Sequence, residues 1–282
     1  SAGGEDLIVG LGDLIEALLG SILLLVGDDV LIDVGGSVSS KTALEIYGDH
    51  NNADAGTGSN IDIDGSLSST SIIIAGARDG DRIDISPQAL VGHTRVVGDN
   101  DGLDGGEDTI ILDQLPSVTT SHDRPNHDPI SGSQVVRDTI DVDGRGGTDT
   151  YLINVTGGET NYLVNVHDTG VPDDGADTLT INGTSAADVF LLREHFVALL
   201  IKTGFDSDNR PTFSNAVERI NYDRTVNGRL LVSSGNGDDE FYVDDNSTIT
   251  TLDGGIGKDT FQIGQIFGTN PNGYFYDFNA QK

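Results

Sequence analysis

Seven short segments of the chain share the pattern Gly-x-Asp-x-apolar, which is a spacing suited to binding a hard metal ion. Their glycine, aspartate and apolar positions are Gly4/Asp6/Ile8, Gly27/Asp29/Leu31, Gly106/Asp108/Ile110, Gly147/Asp149/Tyr151, Gly175/Asp177/Leu179, Gly237/Asp239/Phe241 and Gly257/Asp259/Phe261. Composition alone would produce the pattern roughly twice. Glycine permits positive φ and exposes carbonyl oxygens, aspartate supplies a carboxylate oxygen, and the apolar residue anchors the following strand. The pattern therefore predicts turns that bind a hard cation such as calcium.

One segment carries a longer motif. Residues 254–262 read Gly-Gly-Ile-Gly-Lys-Asp-Thr-Phe-Gln and match the nonapeptide G-G-x-G-x-D-x-U-x, in which U is apolar. With this motif the chain resembles the RTX, or hemolysin-type, calcium-binding repeat family. The resemblance is good over residues 230–264 and fragmentary elsewhere. It implies a parallel β-roll in which calcium lies between consecutive turns, bound by aspartate and carbonyl oxygens.

Carried over by position, the resemblance places the best calcium site between two turns near the end of the chain. Its ligands would come from Gly235, Asn236, Gly237 and Asp239 in one turn, and from Asp253, Gly254, Gly255, Gly257 and Asp259 in the next. A second candidate turn contains Asp143, Gly144, Gly147 and Asp149, and a third contains Asp104, Gly106 and Asp108. The related turn at Asp188 lacks the inner glycines, so we expect it to have lost its metal and kept its shape.

Short β-strands are the elements that would position these turns. Asp239-Glu240-Phe241 recurs as Asp259-Thr260-Phe261 after 20 residues, and the segment 138–153 recurs at 177–192 after 39 residues. Because 39 is nearly twice 20, the repeats predict a coil of about twenty residues, a length typical of solenoids. The predicted fold is all-β: a parallel β-helix or β-roll solenoid with loop insertions, forming one segment over residues 1–282. A loop is predicted at 121–129, and the apolar stretch 14–26 is predicted to form buried strands or one short helix.

The charge of the chain limits its function. Among 282 residues, 46 are acidic and 15 basic, which gives a formal net charge of −31, and the acids are 38 Asp against 8 Glu. Such a charge excludes a nucleic-acid binder, because phosphates are bound by Lys and Arg. The absence of Cys excludes disulfides and thiolate metal sites, and no apolar run reaches membrane-spanning length. Self-repulsion opposes compaction, so bound cations would reconcile this charge with a folded core.

These features together predict a calcium-binding structural module of a large secreted or cell-surface bacterial protein. Calcium is plentiful outside cells, so weak sites would bind and promote folding after export. The abrupt start and polar end are typical of a segment cut from a longer polypeptide, whose other parts are expected partners. Similar RTX-bearing proteins include toxins, adhesins, proteases and lipases, in which the repeat is structural. We therefore expect a scaffold without catalytic activity.

Two other functions stay open on the sequence. A β-helix enzyme acting on acidic polysaccharide would need carboxylates and a basic residue on one face, and the candidates are Arg78, Asp79, Asp81 and Arg82. A glycan- or protein-binding adhesin segment would use exposed aromatic residues such as those at 274–276.

Residues 60–65 mimic the opening of an EF-hand loop. Ser71 occupies the place of the bidentate Glu, and the intervening isoleucines favour a strand.

Overall fold

The computed structural model describes residues 6–51, 56–100, 105–117, 139–170, 175–208 and 211–264. These residues form 22 strands in two sheets and no helix, which confirms the all-β prediction. In the same residues no helix is long and apolar enough to cross a membrane. The loop predicted at 121–129 and the aromatic residues at 274–276 lie outside the described residues.

The first sheet has nine strands, and every neighbouring pair in it is parallel. In spatial order the strands are β1 (Leu7–Val9), β4 (Val30–Ile32), β7 (Asn60–Ile63), β9 (Arg82–Ile85), β11 (Thr109–Asp113), β13 (Thr150–Asn154), β15 (Thr178–Asn182), β19 (Arg229–Ser233) and β21 (Thr250–Asp253).

The second sheet has thirteen strands. Eleven follow one another as β2 (Leu14–Ala17), β5 (Ser37–Ser40), β8 (Ser66–Ala75), β10 (Ala89–Val97), β12 (Thr139–Asp143), β14 (Tyr162–His167), β18 (Pro211–Tyr222), β17 (Phe196–Phe205), β16 (Val189–Arg193), β20 (Glu240–Val243) and β22 (Thr260–Ile263). The other two, β3 (Ile22–Leu25) and β6 (Ala43–Tyr47), pair with each other, and β6 also pairs with β8. Only β17 is antiparallel to its neighbours among these described strands.

From β7 to β15 the chain alternates between the sheets. The odd-numbered strands belong to the first sheet and the even-numbered strands to the second. Each return to a sheet places a new parallel strand beside the previous one, so the topology is compatible with a β-solenoid.

The spacing between paired strands varies along the chain. Glu240 pairs with Thr260, a separation of 20 residues that matches the predicted coil. Thr109, however, pairs with Thr150, a separation of 41 residues. Inserted segments therefore lengthen the unit in the middle of the chain, and the prediction of about twenty residues does not hold there.

The 39-residue repeat does not relate stacked strands, so its interpretation as two coils is wrong. It aligns β12 with β15 and β13 with β16, and in each pair the two strands belong to different sheets. The repeat reflects a local motif that both sheets use, which is a turn ending in Asp followed by a short strand.

The core consists of apolar columns that run across successive strands. In-register pairs join Val30 to Ile61, Ile61 to Ile83 and Ile83 to Ile110, and all four side chains are at most 1% exposed. Neighbouring residues point to the other face, because side chains alternate along a strand. Fully burying such a side chain contributes roughly 1.5–3 kcal/mol.

The apolar stretch 14–26 forms strands β2 and β3, as one of the two predicted alternatives states, but its expected burial is wrong in part. Ile15 and Ile22 pack against the core, whereas Leu14, Leu19 and Leu23 are between 56% and 93% exposed. Leu14 and Leu23 point outward from edge strands of the second sheet, and Leu19 lies in the bend between them, so all three side chains face solvent.

Candidate metal centre

Four aspartates each stand immediately before a strand of the first sheet. They are Asp81 before β9, Asp108 before β11, Asp149 before β13 and Asp177 before β15, and all are at most 2% exposed. We call them the first aspartate column. Asp108, Asp149 and Asp177 each follow a glycine by two residues, so a glycine-containing turn places each aspartate at the start of its strand.

Hydrogen bonds connect the members of this column. The backbone N–H of each aspartate donates to Oδ1 of the next: Asp81 to Asp108 at 2.7 Å, Asp108 to Asp149 at 2.8 Å and Asp149 to Asp177 at 3.0 Å. At the ends of the column, the N–H of Ser59 donates to Asp81 and the N–H of Asp177 donates to Asn227. Each carboxylate thus satisfies a buried backbone donor on the adjacent strand.

A second aspartate column precedes three strands of the second sheet. It consists of Asp188 before β16, Asp239 before β20 and Asp259 before β22. The N–H of Asp188 donates to Oδ1 of Asp239 at 2.8 Å, and the N–H of Asp239 donates to Oδ1 of Asp259 at 3.1 Å. The turn at Asp188 therefore has the column geometry without the inner glycines.

The two turns of the best predicted calcium site lie directly against each other. Asn236 and Ile256 form a parallel bridge, the N–H of Gly237 donates to the Ile256 carbonyl at 2.9 Å, and the N–H of Ile256 donates to the Gly235 carbonyl at 2.8 Å. Asp253 is exposed and accepts a hydrogen bond from the N–H of Gly255 at 3.0 Å. Gly254 lies against the carboxylate of Asp259, and a methyl group on Gly257 would overlap the Gly237 carbonyl oxygen.

The second and third candidate turns prove to be neighbours, which the sequence did not indicate. Gly147 has a φ of 120° and packs so closely on the Gly106 carbonyl that a methyl group there would overlap its oxygen. The turn of Asp149 thereby lies on the turn of Asp108. Asp104, the remaining residue of the third turn, lies outside the described residues.

Two residues of the second candidate turn have other partners. Asp143 ends β12, accepts hydrogen bonds from the N–H and hydroxyl of Thr169 and lies 3.5 Å from Arg95. The N–H of Gly144 donates to the Tyr151 hydroxyl at 2.8 Å.

A cluster of three buried carboxylates joins the two sheets. Asp149 and Asp177 belong to the first column, and Asp168 follows the last residue of β14 in the second sheet. One oxygen from each lies within 4.8 Å of the other two, and the residues are at most 7% exposed. The sequence does not predict this buried carboxylate cluster. Asp168 belongs to no Gly-x-Asp motif, and nothing in the motif of Asp177 distinguishes it from the other six.

The hydrogen bonds of Asp168 leave one oxygen unused. Its Oδ1 accepts the N–H of Gly170 at 3.3 Å, while Oδ2 is buried and has no hydrogen-bond partner among the described residues. Within the same part of the chain, neither Asp168 nor Asp177 forms an ion pair with Lys, Arg or His.

Burial and nearby carboxylates raise the pKa values of three of the aspartates described above, Asp168, Asp108 and Asp81. Burial first, and then neighbouring Asp177, raise the pKa of Asp168 to about 8. Burial first, then Asp81 and Asp149, raise the pKa of Asp108 to about 9, and burial raises the pKa of Asp81 to about 6. Two unit charges 4.8 Å apart repel by about 3.5 kcal/mol at an effective dielectric constant of 20. A bound cation would compensate this repulsion.

Among the residues that the structure describes, the other predicted constellations form no comparable centre. Residues 60–63 form β7, with Ile61 and Ile63 fully buried, so the strand prediction is confirmed and the EF-hand interpretation is wrong. Arg82 pairs at 2.7 Å with Asp84, whereas Asp81 is 2% exposed, so these two candidates of the enzyme hypothesis do not converge. Another carboxylate group, Asp6, Asp28 and Asp29, also lies within 4.8 Å but is open to solvent.

Comparisons of the chain with protein-family models, with curated proteins and with solved structures found no match.

Proposed function

We propose that the chain is a calcium-binding structural β-solenoid module of a large secreted or cell-surface bacterial protein, in which calcium binding is coupled to folding. The alternation of strands between two largely parallel sheets supports the solenoid. Each layer buries its apolar columns only against the next, so stability depends on stacking.

The observation that carries the proposal is the burial of several carboxylates at the stacked turns. Asp108, Asp149, Asp177 and Asp239 are at most 2% exposed in a chain of net charge −31. Leaving charged groups buried without compensation is costly, whereas oxygen-bound calcium would neutralise them. All ligands offered by these turns are oxygens, which suit a hard cation.

Calcium binding would be coupled to folding because the ligands are far apart in the sequence. The columns assemble aspartates 20 to 51 residues apart, so the unfolded chain has no formed site. A ligand that binds only the folded state adds about 1.4 kcal/mol for each site at ten times its Kd. Several weak sites would therefore be enough to stabilise a marginally stable folded state.

Calorimetry and circular dichroism of the same chain, in calcium and in chelator, test this proposal. We expect calcium to raise the Tm and increase or sharpen the β signal, with a smaller response to equal magnesium. Identical melting curves in calcium and chelator would exclude calcium-coupled folding.

A glycan- or protein-binding segment is the second candidate, and one feature favours it. A groove of about 530 Å³ runs beside the antiparallel strand β17. Its wall includes Phe205, which is 60% exposed, and Lys202, which pairs with Glu240 at 2.7 Å. An exposed ring beside polar groups suits stacking against a sugar or an aromatic side chain. Binding to a glycan array that Phe205→Ala abolishes would support this function.

A further inference from the structure

The buried carboxylate cluster differs in construction from the turns that the sequence motif predicts. Asp149 and Asp177 enter it from adjacent strands of the first sheet, and Asp168 enters it from the end of β14 in the second. A ligand bound to all three would therefore bridge the two sheets inside the protein. A turn site between the turns of Asp239 and Asp259 joins successive layers instead.

We infer that Asp149, Asp168 and Asp177 together bind one hard divalent cation, for which calcium is the fitting ion. The inference deepens the proposed function and rests on it, since it assumes that the folded chain takes up calcium. It adds a buried site that includes a residue outside every Gly-x-Asp motif.

The donor set defines the chemical class of the ligand. Three carboxylates present only oxygen, which suits Ca²⁺ or Mg²⁺ and disfavours metals that prefer sulfur or imidazole. Calcium accepts irregular arrangements and several carboxylates, whereas magnesium requires near-octahedral geometry and keeps several waters. A site that is at most 7% exposed and closed by carboxylates from two sheets fits calcium better.

A second observation points to a ligand at this position. Asp168 is only 7% exposed, and its Oδ2 has no hydrogen-bond partner among the described residues. Buried polar atoms in folded proteins are almost always partnered, so an unsatisfied carboxylate oxygen beside two other carboxylates indicates a missing positive partner.

Tyr151 lies beside the cluster and forms part of its wall, and its hydroxyl already has two hydrogen-bond partners. The Tyr151 hydroxyl donates to the His167 carbonyl at 3.0 Å and accepts the N–H of Gly144 at 2.8 Å. It is 1% exposed, so it both excludes water and fixes the backbone that precedes Asp168.

Calcium binding to three variants of the whole chain tests the inference. Asp168→Asn removes one carboxylate of the buried site, and Asp259→Asn removes one carboxylate of the turn site. Asp33→Asn removes the carboxylate of an exposed aspartate as a control. Chelated protein is titrated with calcium alone, and the bound ion per chain is counted by equilibrium dialysis. We expect Asp168→Asn to bind one equivalent fewer than wild type, and Asp33→Asn to bind the wild-type number.

A melting measurement separates a lost ligand from simple damage. In chelator, Asp168→Asn should melt at or above the wild-type Tm, because it relieves repulsion in the cluster. In saturating calcium its Tm should fall below that of wild type. A variant that is merely misfolded would melt lower in both conditions, and that result would overturn the inference.

The outcomes also separate this inference from the proposed function. If wild type and Asp168→Asn bind the same number of ions and show the same Tm gain, the buried site is excluded while calcium-coupled folding stands. If wild type takes up no calcium at all, both are excluded.

Discussion

The backbone N–H of Asp108 donates a 2.8 Å hydrogen bond to Oδ1 of Asp149, although 41 residues separate the two. The bond joins strands β11 and β13, which are paired in the first sheet. Asp149 is fully buried, so the carboxyl group that links the stacked strands is also held away from water. The side chains that connect the strands are therefore the same ones that offer oxygen ligands to a cation.

Removing the last carboxylate of the second column should separate these two roles. Asp259→Ala deletes the acceptor for the N–H of Asp239 and should destabilise the chelated protein by about 1 kcal/mol. Asp259→Asn keeps an oxygen acceptor, so its stability in chelator should stay near that of wild type. Both variants should show a reduced gain on adding calcium, measured by urea unfolding. A full wild-type gain in both would rule out a role for Asp259 in calcium binding.

Adding a methyl group at a glycine contact should disrupt stacking. In Gly147→Ala the new methyl overlaps the Gly106 carbonyl oxygen and the residue must also keep a φ of 120°. We expect a loss of about 3 kcal/mol or more. Gly12→Ala is the matched control, because Gly12 has a φ of 83° and no neighbouring atoms within 4 Å. Its loss should be about 1–2 kcal/mol, and equal losses in urea titrations would refute the close-contact explanation.

The aromatic stack between the last layers should carry part of the stability. The Phe241 ring lies 5.6 Å from that of Phe190 and 4.8 Å from that of Phe261, measured between centroids. Phe241→Ala should cost about 3–5 kcal/mol, because this side chain is fully buried. Phe261→Ala should cost less, since Phe261 is 46% exposed. Chemical denaturation of both variants checks the order, and the reverse order would contradict the assigned packing.

Stability in chelator should fall as pH rises from about 4 to about 6. Burial raises the pKa of Asp81 from 3.8 to about 6, so the folded state binds this proton more tightly than the unfolded state does. This difference contributes at most about 3 kcal/mol to the free energy of unfolding. The contribution is complete below pH 4 and is lost as the pH rises through 6. Asp81→Asn should flatten this part of the curve of Tm against pH. An unchanged slope in the variant would show that Asp81 is not responsible.

Several parts of the fold and the site follow from sequence alone. The all-β class comes from the β-branched runs and Gly/Asp turns, and the stacking of Asp239 on Asp259 comes from their 20-residue spacing. These predictions succeed because the strand and turn signals lie within short segments, and because the last two layers keep the 20-residue spacing.

Other parts depend on long-range contacts that have no constant period. Asp149 lies near Asp168 because the end of β14, in the second sheet, meets the turn before β13, in the first sheet. No sequence motif marks Asp168. The antiparallel β17 follows β16 after a turn at Glu194 and His195 and carries no distinctive pattern. The exposure of Leu19 depends on its place in the bend between β2 and β3, which apolar composition does not reveal.

Anomalous diffraction from crystals of the chain grown in calcium locates bound ions without any assumption about stability. We expect one calcium peak among the carboxylates of Asp149, Asp168 and Asp177, and at least one more between the turns of Asp239 and Asp259. Crystals saturated with calcium that show no peak at either place would contradict it.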